Sequence, residues 1–365
     1  MIRRAIALIA FIGSAAGCAP NRPTAFVNAL AAGDRAHFAG REREAATEYD
    51  EAAQATGRPI DRDEAMFRAA LAYRHSGDTA AALERLDWLS SHSDAEIRGD
   101  RATFEAARTR FDTGDGARAE HDLEGLIVRS PDSGSARRGV DLVLAYRDQQ
   151  DPSGASALAW IDSFEPRVRR RDLEPAFRWF RARRLEAAGR FDDAIRAYES
   201  LLEIPYPRNM HWDDGGFAYA QRLRSLHRPG DALAVIDRTL AVREIAVMRP
   251  GSDERPRYQG LGLLRGEILR DDLHDASRAA DAYHRFYVEF PDSNYRDDAL
   301  WSELELRDGL GQRDQSCGLA TTLGRDFPCT RFGRRGAERA RDCGHPVGDE
   351  VAARCHPHRI DSRAP

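Results

Sequence analysis

Lysine is missing from this chain of 365 residues: all 55 basic positions are arginine, set against 60 acidic ones for a formal net charge of −5. A balance this close to neutral excludes a bulk polyanion binder, so no nucleic-acid partner is expected. Long apolar runs are lacking as well, which excludes a multispanning membrane protein. Cysteine is scarce, with five residues at Cys18, Cys317, Cys329, Cys343 and Cys355. No segment sustains period-two alternation rich in β-branched residues, so no sheet is expected. Catalytic signatures are also wanting: there is no His-Glu-x-x-His and no Gly-x-Ser-x-Gly, and Gly260-Leu-Gly262-Leu-Leu-Arg-Gly266 has one residue too many for a dinucleotide fingerprint. That glycine run reads instead as a small-residue helix contact. Neither an enzyme nor a cofactor is expected.

What is present begins with a targeting segment. Met1-Ile-Arg3-Arg4 is positive, Ala5 to Gly13 is apolar but short for a span, and Ser14-Ala-Ala-Gly17-Cys18 follows. This resembles a bacterial lipoprotein signal, with Ala15 where leucine is usual. The resemblance implies a signal over 1–17, lipidation of Cys18, a short lipidated linker over 18–24, and anchoring by acyl chains without a transmembrane helix. With Ala19 rather than aspartate after the cysteine, it implies the outer membrane, facing the periplasm. An ordinary secretory signal cut after Ser14-Ala15-Ala16 is the alternative. Either route delivers the chain to an oxidising compartment.

A repeat fills most of the remainder. Four segments share a glycine, an alanine five residues on, an aromatic or leucine four further, and an apolar residue three beyond: Gly40/Ala45/Tyr49/Ala52, Gly77/Ala82/Leu86/Leu89, Gly114/Ala119/Leu123/Leu126 and Gly189/Ala194/Tyr198/Leu201. The glycine spacings are 37, 37 and 75, the last being two periods around a degenerate copy at Arg137 to Phe164. Further units carry Ala232/Ile236, then Ala279/Tyr283/Phe286 with His274 in the glycine slot, then Gly311/Ser316/Ala320/Leu323. Apolar spacing of three and four on both sides of the glycine predicts two amphipathic helices per unit, the glycine ending the first in a left-handed turn.

This pattern resembles the tetratricopeptide repeat family, most closely in Gly189-Arg-Phe-Asp-Asp-Ala194-Ile-Arg-Ala-Tyr198 and in Ala279-Ala-Asp-Ala-Tyr283 through Phe286 and Pro291 to Trp301. The latter is similar to repeats of envelope lipoproteins, among them the outer-membrane β-barrel assembly lipoprotein and the Tol–Pal coordinator. The resemblance implies an all-α, right-handed superhelical solenoid of about eight helix pairs over 25–342, then a capping segment and tail over 343–365. It also implies a concave groove lined by the second, fifth, ninth, twelfth and thirteenth positions of each first helix. Those positions give aromatic anchors Phe67, Phe104, Trp179, Phe217 and Trp301, and arginine forks Arg74, Arg108, Arg147, Arg183 and Arg224. Towards the C-terminal end they turn acidic, at Asp271, Asp272, Asp298, Glu305 and Asp308. The alternative is that these aromatics pack within the helix pairs and the charges form a solvated face. A basic stretch from Arg167 to Arg184 reads as a contact for an acidic protein or anionic lipid, or as another solvated face.

The last cysteines pair by geometry. Cys317 and Cys329 flank a helix of roughly 18 Å, too long for one bridge. A return helix over 331–342 brings Cys343 back beside Cys317, and a further turn brings Cys355 towards Cys329. The expected disulfides are therefore Cys317–Cys343 and Cys329–Cys355. A metal site from Cys343, His345, Cys355, His356 and His358 is the alternative, although its spacings fit no zinc signature. The functional expectation is a non-catalytic scaffold that organises an envelope complex, binding envelope proteins in the groove and the membrane through its lipid. A small-ligand or metal-binding lipoprotein using the Cys/His cluster is the alternative.

Overall fold

The computed structural model describes residues 22–93, 96–169, 171–242 and 256–348. The signal segment, Cys18, Cys355, His356 and His358 lie outside them. Seventeen α-helices and no β-strand are found among the described residues. The chain divides into two compact units, Met1–Gln149 and Gln150–Pro365.

The first unit holds three helix pairs and one further helix. They are α1 (Thr24–Phe38) with α2 (Glu42–Gln54), α3 (Pro59–His75) with α4 (Thr79–His92), α5 (Glu96–Thr113) with α6 (Gly116–Arg129), and α7 (Gly134–Gln150). The second holds α8 (Ala155–Phe164), then α9 (Glu174–Ala187) with α10 (Phe191–Leu202), α11 (Trp212–Ser225) with α12 (Pro229–Ala241), α13 (Pro256–Glu267) with α14 (Ala276–Glu289), α15 (Arg296–Gly309) with α16 (Arg313–Asp326), and a final α17 (Arg331–Asp342). Within the units, consecutive helices pack on one another from α1 to α6 and from α8 to α17, and first helices also touch, as α3 with α5, α11 with α13 and α15 with α17. That is the local, nearest-neighbour packing of a repeat array.

The repeat residues do what the spacing predicts. Ala45, Ala82, Ala119, Ala194, Ala232 and Ala279 are fully buried, which lets the two helices of a pair approach closely. Four residues later Tyr49, Leu86, Leu123, Tyr198, Ile236 and Tyr283 fill the space between helices. Gly77 takes φ +85° between α3 and α4, where a side chain is strained, and the other slot glycines do likewise. His227 and His274 occupy the same slot at φ 56° and 52°. In the degenerate copy, the Tyr146 ring of α7 packs at a 45° tilt 4.7 Å from that of Phe111 and lies over Gly116.

The glycine run of α13 is a helix contact. Cβ atoms at Gly260, Gly262 and Gly266 would fall within about 3 Å of Phe217, Phe286 and Tyr283 respectively. At the C-terminal end, Cys317 of α16 is bonded to Cys343 just past α17, with Cα atoms 5.8 Å apart. Gly333 and Gly336 bring the backbone of α17 against the end of α16, and the Thr330 hydroxyl accepts from the Gly333 N–H to cap α17. Cys329 is also disulfide-bonded; the pairing expected for it falls on Cys355, outside the described residues. The oxidised Cys343 removes one thiolate from the alternative metal set of Cys343, His345, Cys355, His356 and His358.

Candidate functional site

Residues at the second and fifth positions of a helix are three apart and share a face. In the first unit this places Arg101 and Phe104 together on α5, with Phe67 of α3 and Arg138 of α7 to either side. The Arg101 guanidinium lies 4.5 Å from the Phe67 ring centroid, and that of Arg138 lies 4.3 Å from the Phe104 centroid. Both rings are buried, at 5% and 7% exposure, whereas both arginines are exposed. The aromatics therefore do not stand open as anchors; each carries an arginine lid. The spacing from ring to lid is 34 residues in both cases, and it recurs in the second unit, where Arg335 sits 4.1 Å over Trp301. Among the described residues Arg101, Arg138 and Arg335 have no carboxylate partner.

The arginines singled out in sequence are placed differently. Arg74 is bonded to Glu105 at 2.5 Å, with both side chains mostly buried. Arg108 is 4.0 Å from the same Glu105 and half exposed; Arg147 is paired with Glu120. In the second unit Arg183 is paired with Glu186 at 2.5 Å. Arg224 is held by Asp272 at 2.7 Å, Glu267 at 3.0 Å and Asp271 at 3.4 Å. Burial alone lowers the Arg224 pKa, but the charge of Asp272 and the bonds to Glu267 and Asp272 leave it above its usual value. These guanidiniums are committed to carboxylates of the chain itself. The acidic run is committed in part too: Asp308 receives Arg339 at 2.7 Å, while Asp298 and Glu305 are exposed.

The remaining aromatics are half-buried. Trp179 stacks on His211 at 5.5 Å, Phe217 lies under Arg257 at 5.1 Å, and Trp301 stacks on Phe332 at 5.4 Å. The basic stretch is neutralised in part: Arg178 meets Glu174, Glu165 and Glu203, and Arg181 meets Asp162 and Glu165. Between α10 and α11, Trp212 is buried and its Nε1–H donates to the Thr239 carbonyl at 3.1 Å, so that connection is held by the core.

Sequence reasoning thus missed Arg101, Arg138 and Arg335. The signal was available: an arginine at the second first-helix position, 34 residues after an aromatic at the fifth.

Residues 64–87, which make up most of α3 and α4, match the family model described as tetratricopeptide repeat. No curated protein matches the chain. Among solved structures, a tetratricopeptide repeat protein from Parabacteroides merdae is 16% identical, over 76% of this chain and 98% of its own, with a TM-score of 0.34. The C-terminal part of a repeat-containing protein from Cytophaga hutchinsonii is 13% identical, over 75% and 98%, with a TM-score of 0.42. BtubC from P. vanneervenii is 15% identical, over 78% and 97%, with a TM-score of 0.39. The all-α fold rests on the helix pairing described above.

Proposed function

We propose that this protein is a non-catalytic, protein-binding scaffold of the bacterial envelope, held at the outer membrane by lipid on Cys18 and facing the periplasm. The support for binding is the stripe Phe67–Arg101–Phe104–Arg138. It is the one run of first-helix positions, among the described residues, in which successive guanidiniums are exposed, stacked on aromatic faces and free of an internal carboxylate. Such arginines are oriented by the ring beneath, so less side-chain freedom is lost when they close on a ligand. Their chemistry suits the carboxylates of an acidic or C-terminal segment on an envelope protein, bound bidentately. The support for the envelope is the lipobox-like Gly17-Cys18 and the disulfide of Cys317 with Cys343, which belongs to an oxidising compartment. Organisation of β-barrel assembly, of secretin or pilus machinery, or of cell-envelope coordination fits these features.

The reading is tested by affinity capture from solubilised envelopes, with wild type beside Arg101→Ala/Arg138→Ala. A defined protein partner that is retained by wild type and lost by the variant is expected. Recovery of no partner, or equal recovery by both, overturns it. Palmitate labelling that persists in Cys18→Ser overturns the anchor.

A further inference from the structure

We propose that His37, Glu42 and His75 form a binding site for a divalent transition-metal ion of the zinc type, joining the first three described helices. His37 is the penultimate residue of α1, Glu42 is the first of α2 and His75 is the last of α3. The turn between α1 and α2, with Gly40 at φ 72°, folds the chain back within five residues. It sets the His37 Nδ1 3.0 Å from the Glu42 Oε2. The repeat supplies the third group: 38 residues on, at the C-terminus of the next first helix, the ring of His75 stacks on that of His37 at 6.4 Å and 15°. One ligand atom from each residue lies within 4.8 Å of the other two.

Two imidazoles and one carboxylate form a borderline donor set, suited to zinc and unlike the all-oxygen shells of calcium or magnesium. Bonds of ~2.0–2.1 Å in a tetrahedron need ligand atoms about 3.3 Å apart. One separation is already shorter than that, and rotation of exposed side chains can bring the others, within 4.8 Å, to it. His37 is 45% exposed and Glu42 21% at the side chain, and His75 is exposed, so the groups are free to adjust and water has access to the remaining position. The C-termini of α1 and α3 bring partial negative charge to the site, and the N-terminus of α2, which opposes it, carries the Glu42 carboxylate. None of these residues belongs to the face proposed for partner binding, and the site does not depend on that reading.

The consequence is mechanical. Side chains from α1, α2 and α3 would share one ion, adding a side-chain link between α1 and α3 to the packing of each on α2. An ion that binds only the folded chain stabilises it by mass action.

The test is calorimetric titration of zinc sulfate into the untagged full chain, beside His37→Ala/His75→Ala, His92→Ala/His121→Ala and His356→Ala/His358→Ala. One zinc equivalent with a raised melting temperature is expected in wild type and in the last two variants. Removing two direct ligands should weaken zinc by more than the roughly 10–100-fold that follows loss of an outer-shell partner. Circular dichroism of the first variant should match wild type, since both histidines are exposed. Zinc affinity unchanged in that native-like variant, or no zinc binding by wild type, overturns the proposal. Loss of the equivalent only in His356→Ala/His358→Ala also overturns it.

Discussion

The ring of Tyr283 on α14 lies 2.7 Å from the position a Cβ on Gly266 of α13 would take, and Tyr49 stands in the same relation to Gly33 at 2.6 Å. A glycine in the middle of a helix costs stability, so its presence there marks a seat for the partner helix. Gly266→Ala should therefore destabilise by about 1–3 kcal/mol through overpacking. Gly125→Ala, in α6 with nothing within 4 Å of its Cβ position, should instead stabilise by about 0.5–1 kcal/mol. Denaturant midpoints of the two variants would separate these outcomes; a shift of the same sign in both would refute the seat.

The left-handed slot makes a second pair of opposite expectations. His274 adopts φ 52° and is exposed. His274→Gly removes a strain of about 1–2 kcal/mol for a left-handed residue, less the backbone entropy of glycine at about 0.5–1 kcal/mol, and should raise stability slightly. Gly77→Ala introduces the strain without that gain and should lower it. Melting curves of both variants give the check.

Serine at both Cys317 and Cys343 should loosen the last helices. A bridge spanning 26 residues constrains the unfolded chain by about 3–4 kcal/mol in the loop-entropy model. Because packing is between neighbours, the loss should be local, appearing as faster amide exchange in α16 and α17 while α1 to α6 exchange as before. Uniform acceleration would contradict nearest-neighbour packing.

Alkaline titration probes the cores. Burial pushes Tyr49, Tyr198 and Tyr283 up to about 12, with Asp34 adding at Tyr49 and Glu186 adding at Tyr198 against the opposing Arg183. Unfolded phenols ionise near about 10. Below that value these groups contribute no pH dependence. As pH rises from about 10 towards 12 the unfolded chain releases protons that the folded chain retains, and stability falls. Absorbance at 295 nm should show fewer than the ten tyrosines ionising before ellipticity is lost. Ionisation of all ten in the native state would contradict the burial.

The helix pairs were legible in the sequence because a left-handed turn restricts residue choice. Gly40, Gly77, Gly114, Gly189 and Gly311 mark five first-helix ends directly, and the buried small residue five positions later, alanine or Ser316, confirms the register even where His227 or His274 stands in. The return helix carrying Cys343 was legible from length alone. The binding face was less so. Single positions do not reveal that Glu105 meets Arg74 or that three carboxylates converge on Arg224, since those partners lie 31 to 48 residues away. Only the packing of adjacent repeats decides which arginines are consumed internally and which, like Arg101, remain on the surface.

The bond between Cys317 and Cys343 also sets how this chain would behave under tension. Pulled from its ends, an array of neighbour-packed helices pays out chain pair by pair, but the 26 residues within the loop add no length until the bond is reduced. At about 3.4 Å per extended residue, roughly 9 nm of contour is withheld. A single-molecule trace in oxidising buffer should stop short by that amount, and dithiothreitol should return it.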